Sequence, residues 1–361
     1  MLRVFEAFAG YGSQSIALRN LGVEYEVVAI SEIDKYAIKA YEAIHGPTNN
    51  LGDISKIDPK DIPDHDLFTY SFPCQDLSVA GKQAGLGKGT RSGLLYECEK
   101  VIEAKKPKYL LLENVKNLVG KKFKPQFDEW LDYLESLGYT NYWKVLNAKD
   151  YGVPQNRERV FVVSILGDHK PYEFADKIPL DKCIADILED EVDEKYYINK
   201  SFHLVDKGHQ AELDIKGQDC IKRAYSTDKI APTLTTMQGG LREPKILIPQ
   251  ATKKGYIEMD LPGICDLSYP NSKTRRGRVQ EGGKVSPTLT AASQDICYIE
   301  PSYRIRKLTP RECFRLMGMR DDDIDKIQAT GISNTQQYKM AGNSIVVNVL
   351  EAIFKNLFME G

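Results

Sequence analysis

The first 170 residues alternate short apolar runs with amphipathic segments. The apolar runs lie at residues 2–8, 26–31, 66–72 and 109–115, with two more at 142–148 and 159–166. The segments between them have helical spacing, as in SQSIALRNLG, which ends at Gly22. Because apolar strands that alternate with helices are typical of sheets covered on both faces, the pattern predicts an α/β fold with a doubly wound, mostly parallel sheet.

The pattern changes beyond about residue 175. Residues 200–300 are rich in Gly, Pro and Thr and in short β-prone runs, which predicts a smaller, irregular, mostly β domain. Two related segments, KIAPTLTTMQGG (229–240) and KVSPTLTAASQD (284–295), form an internal repeat within it.

The last part of the chain favours helices. RKLTPRECFRLMG (306–318) is predicted to be helical, with Thr309 as the cap and Pro310 at the first helical position. Residues 342–358 form an apolar, amphipathic helix whose apolar face needs a core, so we expect it to return to the first domain. The predicted domains are residues 1–178 completed by 325–361, and residues 179–324.

Composition narrows the class of protein. The chain has 361 residues, of which 42% are hydrophobic and 28% are charged, as in globular domains. No apolar run reaches the roughly 18 residues of a membrane span, and we expect no signal peptide and no membrane partner. Seven cysteines without a CxxC pair favour a reducing cytoplasm and argue against a disulfide framework or a zinc cluster. We therefore expect a cytoplasmic protein without a metal.

Small and reactive residues follow four of the predicted strands. Gly10 and Gly12 follow the first strand, Glu32 the second, Cys74 the third and Glu113 the fourth. In open α/β sheets, ligands bind at the carboxyl ends of the strands. The coincidence therefore predicts a ligand site at this edge of the sheet.

The first two strand exits suggest a nucleotide-type ligand. The loop FAGYG (8–12) offers glycines and the free amides of a helix N-terminus, although it has only two of the three glycines of GxGxxG. Glu32 lies 22 residues after Gly10, about the spacing of a ribose-binding acid, and Asp53 is a candidate for an adenine amino group. The alternatives are a plain tight turn for the loop, a helix cap for Glu32 and a simple turn residue for Asp53.

The stretch SFPCQDLS (71–78) places a cysteine in a tight turn after an apolar run. A thiolate is strongly nucleophilic, and Cys74 has no histidine motif nearby that would indicate a protease-like pair. A thiol with the carboxyl of Glu113 one strand away suggests attack on an electron-poor ring rather than on an amide.

At this point the chain resembles the DNA (cytosine-5)-methyltransferases that depend on S-adenosylmethionine, in particular members from bacterial restriction systems and phages. The matching motifs occur in the family's order over nearly the whole length: FAGYG, FPCQ, ENV, QNRER, RKLTPREC and GNSIVVNV. IPDHD, GKQAG and VLNAKDYGVPQ are also similar. The resemblance implies a Rossmann-like class I methyltransferase fold and a target-recognition domain.

The resemblance also implies a mechanism. The Cys74 thiolate would add to carbon 6 of a flipped-out cytosine, and Glu113 would protonate ring nitrogen 3. A carboxyl in this role needs a pKa raised by burial. Arg159 would contact the cytosine carbonyl and Arg157 would support the pocket. Their alternative role is in salt bridges at a strand end.

For the cofactor, the resemblance implies nine residues. They are Phe8, Gly10, Gly12, Glu32, Ile33, Asp53, Pro73, Asn343 and Ser344. Many relatives have an aromatic residue at the position of Ile33, so the stacking contact under the adenine departs from the family's pattern.

Duplex DNA is the predicted partner. The glycine-rich segment 78–93 suits a lid over DNA, and it carries the candidates Ser78, Gly81, Lys82 and Arg91. In the first repeat Arg223 would read a base edge and Thr233 would contact a phosphate, and Arg278 and Thr288 are the corresponding residues of the second copy. Residues 269–315 hold ten basic and four acidic residues, a local charge of +6 against −2 for the whole chain. Phosphate contacts are therefore expected for several of these basic residues.

Three alternatives stay open. A tRNA cytosine methyltransferase would share the catalytic motifs, but the roughly 145 residues between QNRER and RKLTPREC favour duplex DNA. A DNA-binding regulator without catalysis and a dinucleotide oxidoreductase are the other two. The expected role is in restriction–modification or phage self-protection, and the expected state is a monomer.

Overall fold

The computed structural model describes residues 1–73, 91–205, 209–237, 241–249, 263–266, 278–279, 296–299 and 303–359. None of the helices in these ranges combines the length and the apolar character that crossing a membrane requires.

A six-stranded sheet organises the first part of the chain. Its strands are β1 (Leu2–Ala7), β2 (Tyr25–Ser31), β3 (Leu67–Tyr70), β4 (Tyr109–Val115), β5 (Tyr139–Asn147) and β6 (Glu158–Leu166). The order is β2-β1-β3-β4-β6-β5. The first four strands are parallel, and β6 runs antiparallel to both β4 and β5. The mostly parallel sheet confirms the predicted fold class.

Helices cover both faces of this sheet. They are α1 (Ser13–Leu21), α2 (Lys35–His45), α3 (Leu95–Lys105), α4 (Lys124–Ser136) and α9 (Val347–Phe358). The helices α1, α2 and α9 bury Ile16, Ile44 and Phe354 in one core. On the opposite face α3 and α4 bury Val101 and Phe127 in a second core. The sheet is therefore doubly wound, as predicted.

Local chemistry fixes where the site-forming helices begin. Gly12 precedes α1 with a φ of 81°, and Gly22 ends it with a φ of 72°. The side chain of Asp34 caps α2 by accepting a hydrogen bond of 2.9 Å from the backbone N–H of Tyr36. Because α1 follows β1 and α2 follows β2 in the chain, both helix N-termini lie at the carboxyl edge of the sheet.

Two smaller sheets follow. The second sheet has the order β7-β15-β11-β10-β9-β8, and the third has the order β13-β12-β14. Their strands are β7 (Tyr197–Ile198), β8 (Phe202–Leu204), β9 (Ala211–Leu213), β10 (Arg223–Ser226), β11 (Lys245–Pro249), β12 (Gly263–Asp266), β13 (Arg278–Val279), β14 (Ile296–Ile299) and β15 (Tyr303–Lys307). This part is mostly β with short strands, which agrees with the predicted smaller domain.

Short helices complete the described chain. They are α5 (Asp219–Lys222), α6 (Pro310–Arg315), α7 (Asp321–Ala329) and α8 (Asn334–Asn343). Single 3-10 turns occur at Ile54–Lys56, Pro59–Asp61, Arg91–Leu94, Lys116–Val119, Ala148–Tyr151, Ile184–Ile187 and Glu194–Tyr196.

The segment 306–318 differs from its prediction. Arg306 and Lys307 belong to strand β15, and the helix occupies only Pro310–Arg315. Thr309 accepts from the backbone of Glu312 and caps the helix, so the helix cannot extend toward the strand.

Helix α6 shares the core of the first sheet. Phe314 is fully buried in the same cluster as Ile16 and Phe354. The predicted domain boundaries, at 178 and 324, stay a prediction. The packing of Phe314 supports a boundary closer to the end of β15 than to residue 324.

A buried ion pair joins the second sheet to α6. Arg306 donates two hydrogen bonds to the carboxylate of Glu312, at 2.8 and 2.7 Å, and these side chains are 2% and 0% exposed. The same carboxylate also accepts from the backbone N–H groups of Thr309 and Glu189, at 2.8 and 3.0 Å. The Glu312 carboxylate therefore accepts four hydrogen bonds, two of them from a cation.

We predict that Arg306→Met lowers the free energy of unfolding by about 3–5 kcal/mol, because it leaves the Glu312 carboxylate buried and unpaired. Urea denaturation measures the change. Arg304→Met is the matched control, since Arg304 forms the same two-bonded pair with Glu194 on the surface, where the loss should stay below about 1 kcal/mol. Equal losses for the two variants would contradict the role of burial.

Candidate active site

A cavity of about 420 Å³ opens at the carboxyl edge of the first sheet. Its lining comes from the segments that follow β1, β2 and β3, from the end of β4, from the start of β6 and from the end of α8. Of the predicted residues, the described ones that line it are Phe8, Gly10, Glu32, Ile33, Asp53, Pro73, Glu113, Arg157, Arg159, Asn343 and Ser344. The structure thus brings both predicted groups of residues, for the cofactor and for the base, to one cavity.

The loop after β1 has an unusual backbone. Phe8 and Gly10 have positive φ angles of 56° and 58°. A Cβ atom at Gly12 would lie 2.4 Å from Nε2 of His45, so only glycine fits between the loop and α2. Gly12 does not itself line the cavity but sets the start of α1 beside it.

The carboxylate of Glu32 is held by three backbone N–H groups. Gly10 donates to Oε2 at 2.9 Å, and Ile33 and Asp34 both donate to Oε1 at 2.8 Å. A carboxylate can accept about four hydrogen bonds, so one acceptor position is left for a ligand hydroxyl. This geometry fits the ribose of an adenosine group.

Ile33 and Asp53 fit the base of such a ligand. Ile33 is 73% exposed although it lines the cavity, and it offers an apolar platform for a flat ring. Asp53 accepts from the hydroxyl of Ser55 at 2.8 Å, and this hydrogen bond is the main cause that lowers the Asp53 pKa. The ionised carboxylate can accept a hydrogen bond from an amino group.

Glu113 lies near the end of β4, two strands from β1 in the order of the sheet. It is only 8% exposed, and burial raises the pKa of its carboxyl above the ordinary 4.5. The guanidinium of Arg159, with Nε at 3.1 Å from Oε1, offsets part of this effect, and Arg157 offsets a smaller part. A raised pKa is the property that a proton donor at this position requires.

Asn114 fixes the turn that precedes Cys74. Its side-chain amide donates to the carbonyl of Phe72 at 3.1 Å, which ties the exit of β3 to the exit of β4. Pro73 lines the cavity directly after this contact. Cys74, Ser78, Gly81, Lys82 and Thr288 lie outside the described residues, and the side chains of Arg91 and Arg278 do as well.

Arg157 is buried behind the cavity. It is 3% exposed and donates to the main-chain carbonyls of Leu234, Gly342 and Ser344 at 3.0, 3.0 and 2.7 Å. It therefore connects β6 to the first repeat and to the segment after α8. In this position it supports the pocket.

The first repeat segment contacts the protein itself. Gln155 accepts from the backbone of Leu234 at 3.2 Å, and the N–H of Asn156 donates to the carbonyl of Ala231 at 2.8 Å. The hydroxyl of Thr233 donates to the carbonyl of Asn156, so its predicted phosphate contact would compete with this bond. Arg223 is exposed at the start of β10.

Five of the ten basic residues in the predicted DNA-binding stretch pair with carboxylates. Their partners include Glu194, Glu243, Glu312, Asp321 and Asp325, four of which lie outside the stretch that was counted. The five are Arg304, Arg306, Lys307, Arg311 and Arg315. Because a local charge count omits partners from distant segments, it overestimates the positive charge that these residues present.

Three residues of the site escape the sequence analysis. Asn114 and Gln155 act through contacts with the main chain, and Lys339 on α8 pairs with Asp34 at 2.6 Å on the rim of the cavity. Asn114 lies within the motif ENV and Gln155 within QNRER, so these two motifs could have indicated both residues. The pair of Lys339 with Asp34 spans 305 residues and leaves no local signal.

Comparison with known proteins gives matches over the whole chain. The model of the C-5 cytosine-specific DNA methylase family matches residues 2–359. The type II methyltransferase M2.ScrFI of Lactococcus lactis subsp. cremoris is 41% identical, with 99% of each chain covered. The orphan methyltransferase M.SPBetaI of Bacillus phage SPbeta is 37% identical, with 99% of this chain and 97% of that protein covered.

A solved structure has the same fold. The Dnmt2 methyltransferase of S. pombe superposes with a TM-score of 0.66 at 20% sequence identity, over 100% of this chain and 99% of that one. The family match and the full-length relatives agree with the resemblance that the ordered motifs carry. The chain therefore belongs to the C-5 cytosine-specific DNA methylase family and is a methyltransferase.

Proposed function

We propose that this enzyme transfers a methyl group from S-adenosylmethionine to carbon 5 of a cytosine flipped out of duplex DNA. The observation that carries the proposal is the single cavity that Glu32 and Ile33 line together with Glu113 and Arg159. The first two residues suit an adenosine group, and the second two suit the polar edge of a pyrimidine. A donor and an acceptor of a methyl group would thus meet in one space.

Cys74 is the proposed nucleophile. It directly follows Pro73, which lines the cavity. Its thiolate adds to carbon 6 of the cytosine, and the electron pair of the 5,6 double bond becomes available at carbon 5. Among the described cysteines, Cys98 and Cys313 are buried and burial raises the pKa of both thiols, which makes them poor nucleophiles.

Glu113 and Arg159 stabilise the charge that this addition creates. The protonated carboxyl of Glu113 donates to ring nitrogen 3, so negative charge does not accumulate on the ring. The guanidinium of Arg159 contacts Glu113. We propose that it also donates to the cytosine carbonyl. After carbon 5 has been methylated, it loses its proton, and expulsion of the Cys74 thiolate restores the aromatic ring.

The cofactor residues bind and orient the donor. Bound S-adenosylmethionine supplies an electrophilic methyl group. We propose that Glu32 accepts from a ribose hydroxyl, that Asp53 accepts from the adenine amino group, and that Ile33 covers the adenine face. Asn343 and Ser344 close the cavity from the end of α8.

We also propose that the enzyme acts as a cytoplasmic monomer in restriction–modification or in phage self-protection. Names of similar proteins support both roles, since one is a type II methyltransferase of Lactococcus lactis and another is an orphan methyltransferase of a Bacillus phage. Bisulfite sequencing of enzyme-treated DNA tests the reaction and identifies the recognition sequence. Methylation of tRNA instead of DNA would overturn the proposed substrate.

We predict that Cys74→Ala abolishes methyl transfer to DNA, because no other group supplies the covalent bond to carbon 6. Transfer of tritiated methyl groups to DNA measures the loss. Cys220→Ala is the matched control, since Cys220 is an exposed cysteine of helix α5 and should be dispensable. Methylation by the Cys74 variant at the wild-type rate would contradict the mechanism.

We predict that Glu113→Gln lowers kcat by about 10²–10⁴-fold, because an amide cannot supply the proton. The wild-type kcat should also fall as pH rises through the raised pKa of Glu113, since the protonated fraction declines there. Single-turnover rates across a pH series measure both effects. A glutamine variant that kept the same alkaline decline would assign that decline to another group.

We predict that Ile33→Ala weakens cofactor binding by about 1–2 kcal/mol, or roughly 5- to 30-fold in Kd, because the adenine loses an apolar contact. Ile33→Phe should bind at least as tightly as the wild type. Calorimetric titration with S-adenosylhomocysteine measures the change. Ile178→Ala is the control, because Ile178 is an exposed apolar residue that does not line the cavity.

A further inference from the structure

A lysine-rich turn lies beside the catalytic strand. We call residues 116–124, KNLVGKKFK, the lysine turn. It directly follows Val115, the last residue of β4, and it precedes the rest of α4, which runs back along the sheet. Glu113, Asn114 and Val115 all line the cavity. The turn therefore lies on the edge of the sheet where the cavity opens.

The backbone of the lysine turn is firmly anchored. Leu118 and Phe123 are 1% and 2% exposed and belong to the core that α3 and α4 share. The backbone N–H groups of Phe123 and Lys124 both donate to the carbonyl of Gly120 at 2.9 Å. A Cβ atom at Gly120 would lie 2.9 Å from the side chain of Asn117, so the turn closes tightly on itself. Its lysines therefore project from a fixed position.

The lysine turn is strongly basic. Its nine residues include four lysines and no acid, in a chain with a net charge of −2. Lys116 pairs with Glu158, and Lys124 pairs with Asp128, and all four of these side chains are at least one third exposed. The four positive charges of the turn thus lie within nine residues, and carboxylates from outside the turn lie against two of them. Lys121 and Lys122 are exposed.

The pair of Lys116 with Glu158 locates this charge relative to the site. Glu158 is the first residue of β6, and Arg159 follows it and contacts Glu113. Lys116 donates to both carboxylate oxygens of Glu158, at 2.9 and 3.0 Å. Lys116 is thus held beside Glu158, and Glu158 directly precedes Arg159 of the proposed base pocket.

We propose that the lysine turn binds backbone phosphates of the duplex next to the flipped cytosine, a contact independent of base sequence. The inference rests on the proposed function, since a base can enter the cavity only if its flanking strand crosses the rim. Lysine ammonium groups bind phosphates as point charges, and such contacts position the protein without reading sequence. The turn would hold the strand at the cavity while other residues select the site.

The test is the salt dependence of DNA binding. Each phosphate contact contributes about −0.9 to the slope of log K against log salt concentration. The Lys121→Gln/Lys122→Gln variant should therefore have a slope less negative by about 1.8. Raising salt from about 50 to 200 mM would then cost the variant about 12-fold less affinity than it costs the wild type. Fluorescence anisotropy with a labelled duplex of mixed sequence measures both slopes.

Lys60→Gln/Lys106→Gln is the matched control. Both lysines are exposed, and they lie near the end of α3 on the opposite edge of the sheet. This control removes the same charge and should keep the wild-type slope. Calorimetry with S-adenosylhomocysteine should give the wild-type Kd for both double variants, which verifies that each is folded.

Two results would overturn this inference but leave the proposed function intact. One is a wild-type slope for the Lys121/Lys122 variant, and the other is an equal decrease in the control, which would indicate a general charge effect. In either case the wild type would still methylate DNA. A wild-type protein that neither bound nor methylated the duplex would instead overturn the proposed function together with this inference.

Discussion

The buried guanidinium of Arg157 determines how the parts of the site meet. A buried charge without partners costs several kcal/mol, so main-chain carbonyls must converge on it. The carbonyls come from Leu234, Gly342 and Ser344, which lie 77 to 187 residues away in the sequence. One side chain directly before β6 therefore joins the first repeat and the cavity wall to the catalytic sheet.

Close packing reinforces this junction. A Cβ atom at Gly342 would lie 2.0 Å from the carbonyl oxygen of Thr235, so α8 and the first repeat can approach only because residue 342 has no side chain. Asn343 and Ser344 follow at once and line the cavity. The wall of the proposed cofactor site and a segment of the predicted recognition domain are consequently in direct contact, and a displacement of one would affect the other.

Charged residues play different roles around α6 and around β4. Around α6, arginines are paired with carboxylates and hold the second sheet against the first core, as Arg306 does with Glu312. Around β4, burial raises the pKa of Glu113 while Arg159 limits the shift. The same residue types thus stabilise the fold in one place and adjust proton affinity in the other, and the degree of burial and the available partners decide which.

The sequence by itself determined the fold class and most of the cavity lining. Apolar strand runs define the sheet, and topology alone brings residues at or just after the ends of parallel strands, such as Gly10, Glu32 and Glu113, to one edge. Only the tertiary structure decided which charges are paired within the protein. Lys339 reaches Asp34 across 305 residues, and Thr233 bonds to Asn156 instead of standing free. The strands themselves follow from local periodicity, but a partner from a distant segment depends on the three-dimensional packing of the whole chain.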